Sequence, residues 1–160
     1  MTEFGNITKE FAETVIDIRR ISKKTKGGNT IRFSALVVVG DKKGKVGVGL
    51  SKATAVSAAI KKAISSAKRK MFKIPLRGTT IPYSINEKFS AAKVLLKPAP
   101  PGSGIIAGGP IRVVLEAAGV RDAVGKILGT SNKISNVYAT LEALKKIAKI
   151  DKRKEALKSK

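Results

Sequence analysis

Residues 31–50 read IRFSALVVVGDKKGKVGVGL, and the fold turns on how they are parsed. Ile31 to Val39 is rich in β-branched and apolar side chains and predicts a strand. Gly40-Asp41-Lys42-Lys43-Gly44 is a short glycine-containing connection, and Lys45 to Leu50 returns as the next strand, antiparallel to the first. Upstream, Thr14 to Ile21 (TVIDIRRI) alternates and predicts a strand before it, joined through SKKTKGGNT, a basic loop that turns at Gly27 and Gly28. Downstream, the Ser51 hydroxyl offers an N-cap for a helix running to about Lys70. Its stripe is Val56, Ile60, Ala63, Ile64, Ala67 and Met71. The expected unit is β-β-β-α, with one helix face on one sheet face and basic residues over the rest. Gly44, Gly47 and Gly49 leave the third strand nearly bare on one side, so that another backbone can come close; a plain hairpin with bulges is the alternative.

A second unit follows a join near Lys73 to Gly78. Strands are expected around Lys73–Leu76, Thr80–Ile85 and Ala91–Lys97, and another within Val120–Leu128. PIRVVLEAAG predicts a helix with Pro110 at its first position and Gly119 past its end. Asn132 or Ser135 caps a last helix carrying Ile134, Val137, Leu141, Leu144 and Ala148 on one face. The fold class is thus α+β, a β-β-β-α unit over residues 10–73 followed by a second unit over 74–150. Residues 1–9 and 151–160 are expected to be flexible, the tail DKRKEALKSK having little to bury.

The charge narrows the function. Among 160 residues stand 33 Lys and Arg against 11 Asp and Glu, a formal net charge of +22. Such an excess repels itself until a polyanion neutralises it, and nucleic acid is the usual one. Arg19, Arg20, Lys23, Lys24, Lys26 and Arg32 lie between Asp17 and Asp41 with no acid among them, and no acid occurs again before Glu87. Internal ion pairs therefore cannot be what these cations are for. Cysteine and histidine are absent, which excludes disulfides, thiol nucleophiles, imidazole bases and the common zinc sites. No metal and no cofactor is expected. No apolar run approaches the roughly 20 residues needed to cross a bilayer, and the N-terminus lacks the pattern of a signal peptide, so a cytoplasmic protein is the default expectation. Aromatic residues make up only 4%, too few for a reader of single strands by base stacking. Folded RNA, recognised by backbone and shape, fits better than sequence-specific DNA.

Residues 102–109, GSGIIAGG, raise an enzymatic alternative. Gly102, Gly104 and Gly108 approach a dinucleotide fingerprint, with Asp122 nearly twenty residues on. Against it, the chain lacks room for a doubly wound sheet and antiparallel signals precede the loop. A kinase-type loop at a helix N-terminus is the other option, but no phosphate-binding lysine motif and no acid–base pair accompanies it. The remaining use is fit: a tight backbone packing against a neighbouring protein or RNA.

Three stretches, Arg19 to Ala53, GSGIIAGGPIRVVLEAAGVRD and LGTSNKISNVYATLEAL, resemble the bacterial-type family of small-subunit ribosomal protein five over roughly Glu10 to Ile147. The resemblance implies a double-stranded-RNA-binding-like first domain and a β(3)-α-β-α second domain, in a non-enzymatic structural protein of the small ribosomal subunit. It implies small-subunit ribosomal RNA as ligand, ribosomal proteins four and eight as neighbours, and a place between head and body near the decoding region and the path by which messenger RNA enters. The loop from Ile21 to Asn29 would reach RNA near the spectinomycin site. The RNA-binding set is then Arg19, Arg20, Ser22, Lys23, Lys24, Lys26, Gly27, Gly28, Lys42, Lys43, Lys45 and Lys52, and the protein interface Gly102, Gly104, Gly108, Gly109 and Arg112. Pro100-Pro101 departs from the family's usual polar pair, Tyr83 stands where a histidine is common and Tyr138 where an arginine is common. Neither tyrosine is carried over as a ligand. A free basic RNA or DNA chaperone is the alternative reading, and a bacterial-type cytoplasm and an organelle both stay open as the compartment.

Overall fold

The five residues Ala35 to Val39 are buried to within 1% of completely, on both sides of one strand. The computed structural model, which describes residues 11–158, shows why. The first sheet has the order β1 (Ala12–Thr25), β2 (Gly28–Gly40), β3 (Lys45–Ala53), β4 (Phe72–Lys73), all antiparallel. Side chains alternate across a strand. Ala35, Val37 and Val39 meet Ala59, Ala63 and Ala67 of α1 (Val56–Arg69). Leu36 and Val38 point the other way, into a core shared with the second unit.

Basic residues therefore do not cover the sheet face away from α1, contrary to the expectation. The second unit's helix α2 (Gly109–Ala118) covers it, with Val114, Leu115 and Ala118 in the common core. A strand that is apolar at every position, rather than at every second one, is the pattern of burial on two faces. The glycines of β3 serve the opposite face. A Cβ at Gly49 would overlap the carbonyl of Ala63, and one at Gly47 that of Ala67. The backbone that comes close is α1 of the same chain, not a ligand.

Ser51 does not cap α1. It lies in β3 opposite Ala35, nearly buried, and the helix starts after Ala55 with no side-chain cap. Three more rungs of pairing to β2 outweigh the local capping preference of a serine. The strand expected at Lys73–Leu76 is the two-residue β4, which pairs with β3 and belongs to the first sheet, ending before Pro75.

The second sheet has the order β5 (Ile85–Phe89), β6 (Ala92–Pro98), β8 (Ala123–Ile127), β7 (Ile105–Ile106). Expected pairing from Thr80 begins only at Ile85, because Pro82 lacks an N–H for a ladder. With α2 and α3 (Lys133–Lys158) the second unit is β(3)-α-β-α, as expected, and the α+β class holds for the chain. Asn132 is the N-cap of α3, its Oδ1 accepting from Ile134 N–H at 3.3 Å. The tail expected to fray from Asp151 is helical to Lys158. Asp151 accepts a hydrogen bond from the Tyr83 hydroxyl at 3.2 Å, and the Lys154 ammonium stands 4.1 Å from the centre of the Tyr83 ring. The expected flexible residues 1–9 lie outside the described residues.

The two units are joined by backbone as well as by core. Lys42 and Gly44 donate N–H groups to the carbonyls of Ala117 and Ala118 at 3.1 and 2.9 Å. These are C-terminal carbonyls of α2 that the helix itself leaves unpaired.

Candidate nucleic-acid interface

The pairing of β1 with β2 runs without a break from Ile18–Ala35 to Thr25–Gly28. The basic segment Ile21 to Asn29 is thus no open loop but the end of a two-stranded ribbon, closed by Lys26-Gly27. β3 stops at Ala53, opposite Phe33, so among the described residues the rungs beyond it have no third strand beside them. Every residue from Ser22 to Arg32 is exposed. Alternation puts Arg20, Ser22 and Lys24 on one face of the ribbon and Arg19, Ile21 and Lys23 on the other, with Lys26 at the tip.

Among the described residues, Arg20, Lys23, Lys24 and Lys26 have no carboxylate partner. Arg32 shares this freedom, exposed opposite Ile21. It was not among the expected ligands, although a lone cation at the start of an apolar strand was the signal for it. Arg19 differs from its neighbours. Its Nε lies 2.7 Å from Asp17, a terminal nitrogen donates to Asn132 at 3.3 Å, and Lys133 stands 3.5 Å from the same carboxylate. The Arg19 hydrogen bond, more than any other influence, holds the Asp17 carboxyl below its ordinary range. Arg19 pins the root of the ribbon to the start of α3. Lys52 is exposed beside this root, in one row with Ser34 and Arg19 across three strands.

Lys42, Lys43 and Lys45 do not join this group. They sit around the β2–β3 turn, at the far end of a 13-residue strand, roughly 40 Å from the ribbon tip at about 3.3 Å per residue. The cations expected as a single clamp lie in two separated groups. Lys42 instead lines a cleft of about 560 Å³ with Gly104, Arg112 and Arg121, so it stands with residues assigned to the protein interface. Arg112 is paired with Glu116 at 2.8 Å, one helical turn on.

Two donors of the glycine loop are turned inward. One oxygen of Asp122 accepts the N–H groups of Gly102 and Gly104 at 3.1 and 2.9 Å. Asp122 is 4% exposed, and a hydrogen bond with the Thr79 side chain, then the Gly104 N–H, holds its carboxyl below the ordinary range. In a dinucleotide site this acid would reach a ribose and those N–H groups a phosphate. Here they satisfy each other. Ile105 and Ile106 form β7, parallel to β8, a pairing the sequence reading did not contain. Gly104 has a φ of +71° with open space around its missing Cβ, so backbone conformation rather than crowding selects glycine there. At Gly108 a Cβ would come within 2.9 Å of Ile127, whereas Gly109 is open.

An exposed cationic ribbon on an α+β body, with two donors of its glycine loop already satisfied by Asp122, is the arrangement of a nucleic-acid-binding protein. Residues 11–75 match the family model of ribosomal protein S5, N-terminal domain, and residues 87–157 that of ribosomal protein S5, C-terminal domain. The chain belongs to the ribosomal protein S5 family. It is accordingly a small-subunit ribosomal protein that binds ribosomal RNA, in a family that is structural and non-enzymatic. Among the described residues no helix is long and apolar enough to cross a membrane.

Proposed function

We propose that the chain grips small-subunit ribosomal RNA at the junction of head and body, near the decoding region, and supports assembly and translational accuracy there. The observation that carries this reading is the ribbon itself: Arg20, Lys23, Lys24, Lys26 and Arg32, exposed and unpaired among the described residues, on a two-stranded extension of a buried sheet. Two-stranded ribbons are marginal in water by themselves, so continuity with a core strand is what holds the cations in place. The cleft beside Gly104, Lys42 and Arg112 is the contact for a protein neighbour. Ribosomal protein four belongs there, with ribosomal protein eight a second neighbour and the path of entering messenger RNA nearby. The two contacts, borne by two units sharing one core, would limit movement between head and body during codon recognition.

Sedimentation of lysates in mild and high salt tests this. A stoichiometric band with small subunits that survives moderate salt supports it; loose association stripped by salt supports a free chaperone instead. Charge reversal at Lys23, Lys24 and Lys26 is expected to impair subunit assembly or shift the response to spectinomycin. A bulky residue at Gly104 should lower decoding accuracy while the ribbon's RNA binding persists.

A further inference from the structure

The C-terminal turns of α3 carry Lys145, Lys149, Lys152, Arg153, Lys154 and Lys158, and like charges one turn apart repel in a helix. Such a tail tends to fray, yet it is helical to Lys158. Tyr83 supplies the reason. Its hydroxyl donates to Asp151 at 3.2 Å, and the Lys154 ammonium stands 4.1 Å from the centre of its ring. This latch shapes a cleft. Between the latched turns and the segment that follows α1 lies an opening of about 830 Å³, larger than the one beside Gly104. Lys145, Lys149 and Lys152 line one wall, at positions i, i+4 and i+7 that share a helix face over about 10 Å. Lys43 and Lys73 line the other wall, held together because the Ile74 N–H donates to the Gly44 carbonyl at 2.7 Å. All five lysines are exposed. Lys145 is paired with Glu142 and stands 5.6 Å from the centre of the Phe72 ring. The other four have no carboxylate partner among the described residues. Asp151 and Glu155 also line the cleft, so its five cations face two acids.

The ligand follows from what the floor lacks. Ile74 is buried and Phe72, Pro75, Leu76 and Ala148 are half-buried, so a protein partner would find little apolar surface to cover. The rings of Phe72 and Tyr83 already carry Lys145 and Lys154, which leaves no open platform for a base. A phosphodiester backbone needs neither. It needs cations fixed at intervals, and it releases counterions as it meets them. Lys43 belongs to the turn between β2 and β3, roughly 40 Å from the ribbon tip at about 3.3 Å per residue of β2. Resting on the family's binding of ribosomal RNA, we infer that the cleft between α3 and the β4 segment is a second RNA site, built when Tyr83 latches the C-terminal turns of α3, so that one chain joins two RNA segments. The ribbon holds one segment through its tip, and this cleft holds the other by its phosphates. Free of RNA, the lysines of the last turns repel one another, and a bound backbone relieves that repulsion.

Short RNA duplexes, some with a donor dye and some with an acceptor dye, test this with the full chain. At limiting protein the unaltered chain should bring the two dyes together, and sedimentation should show a second duplex on each chain. Lys73→Gln, Lys149→Gln and Lys152→Gln together should weaken capture of the second duplex at least about a hundredfold, while the first stays bound at the ribbon. Lost charge weakens RNA binding wherever it sits, so three further variants separate the site from the charge. Lys88→Gln, Lys93→Gln and Lys126→Gln, an equal loss elsewhere on the second unit, should leave energy transfer within about twofold. Asp151→Pro keeps every lysine and raises the net charge, yet should abolish the second site by breaking the helix that carries it. Tyr83→Phe keeps both the charges and the ring, and should weaken the second site about threefold; it carries the test if the proline unfolds the second unit. One duplex per unaltered chain, an undiminished second site in Tyr83→Phe, or equal loss in the Lys88, Lys93 and Lys126 variant would overturn the inference. So would carbodiimide links from Lys149 or Lys152 to carboxylates of another protein in assembled small subunits. An unaltered chain that captures no duplex at all would instead contradict the RNA binding on which the inference rests.

Discussion

The ribbon tip and the glycine loop look alike as sequence, KKTKGGN and PPGSGIIAGG, and the structure puts them to opposite uses. At the tip, backbone groups pair with each other across the hairpin and side-chain charge points outward with no internal answer. In the glycine loop two backbone N–H groups point inward to a buried carboxylate, and little charge is left for a ligand. Glycine content did not separate them. What separates them is where the compensating charge sits: Asp122 is 18 residues beyond Gly104 and folds beneath it, whereas among the described residues no carboxylate returns to the tip. A ligand loop and a structural loop are told apart by whether their donors and cations are already satisfied.

The sharpest way to break this comparison is to neutralise the tip. Each phosphate contact contributes about eightfold to affinity at 0.1 M salt, so Lys23→Gln, Lys24→Gln and Lys26→Gln together should weaken binding to small-subunit RNA by about five hundredfold. The slope of log affinity against log salt should fall by about 3, with thermal stability unchanged. Filter binding across a salt series and a melting curve measure both. The next largest effect belongs to the loop and should have the opposite signature. Gly104→Val places a β-branched residue at a φ of +71°, at a cost of about 1–2 kcal/mol or more. The melting temperature should drop and the salt slope stay put. Equal loss of RNA affinity in both variants would mean that the two regions act as one surface.

Acid sharpens the contrast further. Asp122, held by Thr79 and the glycine N–H groups, and Asp17, held by Arg19, both have carboxyls depressed below the ordinary 3.8. Each contributes stability that is complete above that ordinary value and is lost as pH falls from near 4 through the lowered one. Asp122→Asn should therefore flatten the acid limb of stability measured by urea unfolding between about pH 2 and 5. It should also lower stability at neutral pH. The ribbon lysines, which take no part in the hydrogen bonds of either carboxylate, should leave the limb unchanged when substituted.

Much of this was legible. Ile31–Leu50 declares its hairpin, Pro110 and Gly119 bracket α2, and the free cations of the tip stand out as a run without acids. Other features depended on partners far along the chain. Ser51 looks like a cap, and only its rung with Ala35 makes it a strand residue. Asp151 begins a polar tail, and only Tyr83, 68 residues earlier, holds it as helix. β7 is two residues long and exists because Ala123 and Val124 lie alongside it. Lys42 reads as one more surface cation, yet its backbone closes the end of α2. In each instance local propensity was overruled by a tertiary contact. The wholly apolar run Ala35–Val39 is different: its lack of alternation was the signal for burial on both faces, yet basic residues were expected over one of them.

The smallest expected effect tests the boundary between the two kinds of region, because Arg19 stands on it. It is the first of the ribbon's cations in sequence, but its guanidinium is turned to Asp17 and Asn132. The side chain is half exposed, so Arg19→Ala should cost no more than about 1 kcal/mol. The Asp17 carboxyl loses its principal hydrogen bond and should move back toward 3.8, which narrows the window of acid-sensitive stability. The salt slope for RNA should hardly change, against about 1 for Lys23→Gln alone. A slope change as large as that of Lys23 would show that Arg19 leaves Asp17 for a phosphate on binding. The RNA footprint would then extend from the tip down to the root, and the carboxylate network joining β1 to α3 would open as the complex forms.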